Sequence, residues 1–263
     1  MWTAPSRTIK LVIAYDGTDY CGWQKQTEKK TTSDKNPKRG SVQAAVEAAL
    51  DKMHRHPVVL TGSGRTDSGV HAAGQVAGFH TDIKNIRPDR FVPALNGLLP
   101  QDIRILEASE ACPDFHARFD ARARTYRYFF TFGRQALPHE SRYALQLWRS
   151  PHIDLLNAYC RLLTGERDCS TFAGAGDSSR SRSRHISHAA FFMEGGRLVF
   201  EICANAFLRK MVRSIAGTFL YYEEKDTAPQ QIREIINSGE RSLAGPTLPP
   251  QGLFLWKVDY YRE

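Results

Sequence analysis

The stretch GSGRTDSGVH, Gly62 to His71, sets one cation, Arg65, and one anion, Asp67, among three glycines and small hydroxyl residues. That mixture is the chemistry of a tight turn. PVVL before it and GQVAGFHT after it are β-rich, so the loop reads as a link between two strands. A phosphate-binding loop needs G-x-x-x-x-G-K-[ST]. Gly64 and Gly69 have that glycine spacing, but Val70 and His71 follow. A dinucleotide fingerprint needs a glycine where Asp67 stands. Metal binding would draw on Asp67, His71 and His80, yet neither H-E-x-x-H nor H-x-H-x-D occurs, so no metal is expected. Two readings remain. Asp67 caps a backbone N–H in a structural turn, or it is an ionised carboxylate offered as nucleophile or general base, with Arg65 two residues away. Asp and Gly dominate ordinary turns, so these residues alone favour the structural reading.

Outward from the loop, IKLVIAYDGT reads as a strand ending in a turn. QTEKKTTSDKNPKRG is basic, lacks apolar periodicity and reads as a mobile loop. Ser41 is a suitable N-cap for VQAAVEAALDKM, where Val42, Ala45, Val46, Ala49, Leu50 and Met53 share a helical face. RPDRFVPALNGLLP reads as a helix, DIRILEASEA as a strand, and RTYRYFF as a strand with Tyr126 and Tyr128 on one face. HIDLLNAYCRLLTGE is an amphipathic helix, RLVFEICANAF a strand, FLRKMVRSIAGTFLYY and PQQIREIINSGE helices, and GLFLWKVDYY a last strand. Arg209 and Arg213 would then stand one helical turn apart. The run SSRSRSRH, Ser178 to His185, reads equally as an RNA-contacting loop or a disordered one. Strands and helices do not alternate strictly, so the expected class is α+β with mainly antiparallel sheet. Each half holds strands and about two helices, with the break near Pro113 to Arg122.

The chain has 263 residues, enough for one large domain or two ordinary ones. Lys and Arg number 36 against 28 Asp and Glu, a net charge of +8 that favours a polyanionic partner such as nucleic acid. No segment approaches the roughly 20 apolar residues of a membrane span. The five scattered cysteines include no C-x-x-C pair, and the first residues hold no long apolar stretch with a cleavage site. A reducing cytoplasm is the expected compartment.

GSGRTDSGVHAAGQVAGF resembles the signature loop of the TruA family of tRNA pseudouridine synthases. AYDGTDYCGWQKQ, LNGLLPQDIRI, FHARFDARARTYRY, ANAFLRKMVRSIAG and AGPTLPPQGLFLWKVDY resemble the family's other motifs, in family order and over nearly the whole chain. The resemblance implies two similar α+β halves joined around a basic central cleft, the pseudouridine synthase fold. Residues 1–115 would carry the aspartate loop, and 116–263 the tyrosine and arginine. It implies Asp67 as nucleophile, Tyr126 as the ring that stacks on the target base, and Arg213 as the cation beside the aspartate. Arg65 and Thr66 would hold the extruded nucleotide, and Arg209 and Lys210 the phosphates. The implied substrate is the anticodon stem-loop of tRNA at positions 38, 39 and 40, handled by a homodimer without cofactor. The alternatives are a non-catalytic RNA-binding protein on this scaffold, and an enzyme directed at positions 27 and 28 or at several RNAs. Against the family pattern, the segment Lys25 to Gly40 is long and SRSRHI is unusual. His71 and His116 are expected to hold structure, and Trp23 to pack in the core.

Overall fold

The computed structural model describes residues 7–25 and 40–261. The expected mobile loop Gln26 to Gly40 lies, except for Gly40, outside the described residues. The chain divides into two compact units. The first runs to Arg122 and takes back the chain from Leu255, and the second is Ala123–Phe254.

The first unit is built from β1 (Arg7–Tyr15), α1 (Val42–His54), β2 (Thr61–Gly62), β3 (His71–Thr81), α2 (Phe91–Asn96) and β4 (Ile103–Ala111). β1 sits between β4 and β3, antiparallel to both, with Leu11 opposite Ala77 and Ala108. The alternation in β1 turns Ile9, Leu11, Ile13 and Tyr15 to one face, and all four are buried. Burying each aliphatic side chain contributes about 1.5–3 kcal/mol. Ser41 caps α1, its hydroxyl accepting the Ala44 N–H at 3.2 Å. Of the expected face of that helix, Val42, Val46, Ala49 and Leu50 are buried, and Ala45 and Met53 are half-buried at its margin. His54 ends it as a core group, bonded to the Leu50 carbonyl and to the Thr81 hydroxyl, each at 2.8 Å.

PVVL is not a strand. Two carboxylates of α1 take its backbone donors, Asp51 from Val58 at 2.7 Å and Glu47 from Leu60 at 3.2 Å. The stretch is stapled to the helix instead of to a ladder, and only Thr61–Gly62 pairs with β3. The helix expected over 87–100 is shorter as well, a 3₁₀ turn at Pro88–Arg90 followed by α2.

The second unit comprises β5 (Ala121–Thr131, entering from the first unit), β6 (Leu145–Gln146), α3 (Ile153–Arg161), β7 (Gly165–Asp168), β8 (Ser183–Glu194), β9 (Arg197–Ala204), α4 (Met211–Glu223) and α5 (Pro229–Ser238). The last strand, β10 (Leu253–Tyr260), returns to lie beside β3. Strands β5, β9, β8 and β7 are successive antiparallel neighbours. Their aromatic residues meet across the ladder: Phe200 faces Tyr128 and Phe191, and stacks on Phe191 at 4.6 Å. Helices α3 and α4 meet through Tyr159 and Phe219, edge to face at 5.5 Å. The buried Glu223 carboxylate binds the Arg149 guanidinium and the His152 N–H. β8 has no counterpart in the sequence reading. It takes in the second half of the Ser/Arg run, and Arg184 there is buried with its guanidinium on the Ser181 and Ser183 carbonyls.

All five cysteines are free thiols. No helix among the described residues is long and apolar enough to cross a membrane.

Gly217, inside α4, tests how closely this unit is packed. A Cβ there would lie 1.9 Å from the Pro246 carbonyl oxygen. Gly→Ala in a helix normally gains roughly 0.5–1 kcal/mol. Here overpacking reverses the sign, and Gly217→Ala is expected to lose about 1–3 kcal/mol in urea unfolding. A variant as stable as the parent would show that the Pro246 segment yields freely.

Candidate active site

The Asp67 loop leaves β2 at Gly62 and enters β3 at His71. It has little regular structure of its own, and other groups fix it. Gln75, fully buried on β3, takes the Ser63 hydroxyl at 2.7 Å and donates to the Gly64 carbonyl at 2.9 Å. Tyr15, at the end of β1, bonds the Thr66 hydroxyl at 2.8 Å. The Trp23 N–H donates to the Thr66 carbonyl at 3.2 Å, and the Ser68 hydroxyl to the Tyr20 carbonyl at 3.1 Å. Trp23 is buried and stacks on Tyr15, with ring centroids 5.9 Å apart.

Two glycines make this contact possible. A Cβ on Gly17 would sit 1.9 Å from the Val70 carbonyl oxygen, and one on Gly22 would sit 2.5 Å from that of Thr66. Gly22 also has a φ of +99°, a conformation that L side chains rarely adopt. The β1 turn therefore lies directly against the loop backbone. Within the loop, the Val70 N–H closes on the Asp67 carbonyl at 3.1 Å and Gly69 turns at φ +81°. His71 is fully buried, with Nδ1 3.2 Å from the Gly17 nitrogen and 3.1 Å from the Asp16 carboxylate. The result is an Asp67 held half-buried between a buried Thr66 and an exposed Ser68, with Arg65 exposed two residues earlier.

The other candidates stand in the second unit. Tyr126 is a buried residue of β5, opposite Ile202 on β9, with its ring edge-to-face on Phe207 at 5.0 Å. Tyr128 follows on the same face. Burial pushes its hydroxyl pKa up, and the Arg213 guanidinium nearby works in the other direction. Arg213 lies in the first turn of α4, with its Nε donating to the Leu248 carbonyl at 2.7 Å.

Arg209 is not on this helix. α4 begins at Met211, and Lys210 before it has a left-handed φ of +60°. The i−4 relation to Arg213 is thereby lost, because Arg209 belongs to a turn bonded to another loop. Its N–H donates to the Asp177 carboxylate at 2.6 Å, and its carbonyl accepts from Gly174 at 2.8 Å. Burial alone would raise the Asp177 pKa, but the N–H groups of Arg209 and Ser179 bring it below the usual carboxylate range. The sequence reading missed Asp177. Its signal was GAGDSS, a turn cluster directly before the Ser/Arg run.

Arg65, Thr66 and Asp67 are thus fixed on one loop of the first unit, and Tyr126, Arg209, Lys210 and Arg213 belong to the second. Among the described residues, no three His, Cys, Asp or Glu side chains cluster as metal ligands. What the first unit can offer chemically is a carboxylate of defined position on a loop whose backbone a substrate can approach.

A family model described as tRNA pseudouridine synthase matches residues 11–120 and 159–261. The chain belongs to the tRNA pseudouridine synthase family. The tRNA pseudouridine synthase A of Treponema denticola is 50% identical over 254 residues, 97% of this chain and 93% of the relative. That of Treponema pallidum is 47% identical over 240 residues, 91% of this chain and 84% of the relative. That of Caldicellulosiruptor bescii is 41% identical over 255 residues, 97% of this chain and all of the relative. As a member of the tRNA pseudouridine synthase family, the chain is an isomerase that acts on tRNA.

For a synthase of this kind, the loop's position should matter more than its chemistry alone suggests. Gly17→Ala must push Val70, three residues from Asp67, by more than 1 Å. Misplacement on that scale costs about 100-fold in rate. Single-turnover kinetics should show that loss while the variant still binds tRNA and melts cooperatively. Near-normal turnover would mean that the loop is free to relax.

Proposed function

We propose that this chain converts uridine to pseudouridine at positions 38, 39 and 40 in the anticodon stem-loop of tRNA, with Asp67 as the nucleophile. The observation that supports this most is the way Asp67 is held, half-buried on a loop braced from both sides by Gly17, Gly22 and Gln75. An ordinary surface turn needs no such bracing.

The reaction breaks the N1–C1′ bond, turns the uracil and joins C5 to C1′. C5 gives up its proton and N1 gains one, so the product is an isomer. Nothing is oxidised or reduced, and the chemistry calls for no cofactor. In this reading Asp67 acts while the base is detached, and Tyr126 gives the uracil a flat wall to turn against. In the same reading Arg213 is the cation that partners the aspartate. A uridine inside a stem must first leave its stack, at about a few kcal/mol. Arg65, exposed at the front of the loop, fills the gap, and Thr66 helps to hold the nucleotide. Arg209 and Lys210 contact phosphate. We further infer that the enzyme works as a homodimer in the cytoplasm, where free thiols persist.

The test uses an unmodified tRNA with uridines at positions 38, 39 and 40, and no added metal or cofactor. Pseudouridine is mapped by chemical labelling and primer extension. The parent enzyme should modify those positions only. Asp67→Asn should lose turnover by at least about a thousandfold and keep its tRNA affinity within a few fold, because phosphate contacts dominate binding. Product at 27 or 28 would overturn the positional assignment, and an active Asp67→Asn would overturn the nucleophile.

A further inference from the structure

Beyond the candidate active site, the first unit carries an aromatic and basic patch that the reaction does not use. It is formed by FHARFDAR, residues 115–122, and the end of β10. Phe119 and Tyr261 are 74% and 72% exposed. The Arg118 guanidinium lies 5.6 Å from the Phe119 ring centroid, and that of Arg122 lies 5.3 Å from the Tyr261 ring. His116 also stacks on Phe119, at 4.3 Å. Both exposed rings line a cavity of about 570 Å³, together with Phe115 and Tyr260.

Two of these lining residues are tied to each other and to the backbone. Phe115 and Tyr260 are packed at 5.3 Å, and the Tyr260 hydroxyl donates to the Ala117 carbonyl at 2.6 Å. Lys10 places its ammonium 5.8 Å from both rings. One carboxylate lines the cavity, that of Asp120, and it already accepts the His116 N–H at 2.7 Å. Arg122 lines the cavity as well, and Lys10 and Arg118 stand beside its rings.

The geometry points to a binding site for unpaired nucleotides of an RNA strand, with bases stacked on Phe119 and Tyr261 and phosphates against Arg118 and Arg122. Three features select this occupant. Exposed aromatic rings can stack with any base. Guanidinium groups beside them match phosphate. The cavity has the volume of a small-molecule site, enough for one nucleotide. A second copy of this basic chain would bring its own cations to the patch, which is electrostatically the poorer fit. In the working enzyme the occupant is an unpaired stretch of the same tRNA, so this inference rests on the tRNA reading above.

The experiment compares the parent with Phe119→Ala/Tyr261→Ala and with Phe119→Trp. Filter binding gives Kd for whole tRNA and for a single-stranded oligouridylate, and steady-state kinetics give KM and kcat. Each lost stacking contact is worth about 5- to 150-fold by alanine substitution. The double variant should raise Kd for both RNAs, and KM for tRNA, by at least tenfold. Its kcat at saturating tRNA should stay within twofold, and Phe119→Trp should bind like the parent. Unchanged Kd in the double variant overturns the site. So does a fall in sedimentation mass, which would make the patch a contact between copies, and so does a variant that fails to fold. Tight binding by the parent without pseudouridine would sink the functional reading instead, while the binding arm still reports on the patch.

Discussion

The loop that carries Asp67 depends on one close approach of backbone to backbone. The turn after β1 comes so near that a single methyl on Gly17 or Gly22 would overlap a loop carbonyl. Removing the Cβ lets N–H and C=O groups do the holding. The loop gains fixed hydrogen bonds to Trp23, Tyr15 and Tyr20 and gives up any regular structure of its own. These are directional bonds in a partly buried setting, where each is worth more than in water. A carboxylate on such a loop keeps its position without a rigid helix or strand beneath it. Two segments distant in sequence, 15–23 and 62–75, therefore act as one part.

The second unit solves a similar problem by other means. Arg213 is in the first turn of α4, so its place depends on how that helix starts. No side chain caps the start. A left-handed Lys210 turns the chain into the helix, and Asp177 takes the N–H of the residue before it. Left-handed conformations are unfavourable for residues with a Cβ and persist where surrounding contacts enforce them. Gly174 is one such contact, since a Cβ on it would meet the Arg209 carbonyl oxygen at 2.9 Å. The loop before the Ser/Arg run thus works as a brace for the helix that bears Arg213.

Much of this was legible in the sequence where the signal is local. Period-2 alternation in β1 and the Ser41 cap of α1 name their elements directly. So does the glycine that ends α5, with its φ of +70°. The loop was legible through its resemblance, and its residues alone pointed to a plain turn. What stayed hidden was set by partners far along the chain. PVVL has strand propensity, but carboxylates of Glu47 and Asp51 claim its donors. β8 begins inside a polar Ser/Arg run, where the ladder with β7 overrides composition. FLRKMV reads as unbroken helix, yet Asp177, more than thirty residues earlier, bonds its backbone and the helix starts late.

The same sorting applies to charge. A net charge of +8 suggests a broad cationic surface, but many guanidinium groups are already engaged in the protein. Arg7 is held by Glu110, Arg127 by Glu194 and Glu201, Arg134 by Glu140, and Arg149 by Glu223. Of the three arginines in the Ser/Arg run, Arg184 is buried, and Arg180 and Arg182 are exposed. The salt dependence of binding counts the phosphates that the protein neutralises, at about 0.9 of a unit of slope for each contact to a duplex. It does not count the net charge of the chain. Arginines committed to glutamates add nothing to that slope, whereas Arg65, Arg122, Arg180 and Arg182 are exposed and can contribute. A few placed cations, rather than the overall excess, would then set how a tRNA is held.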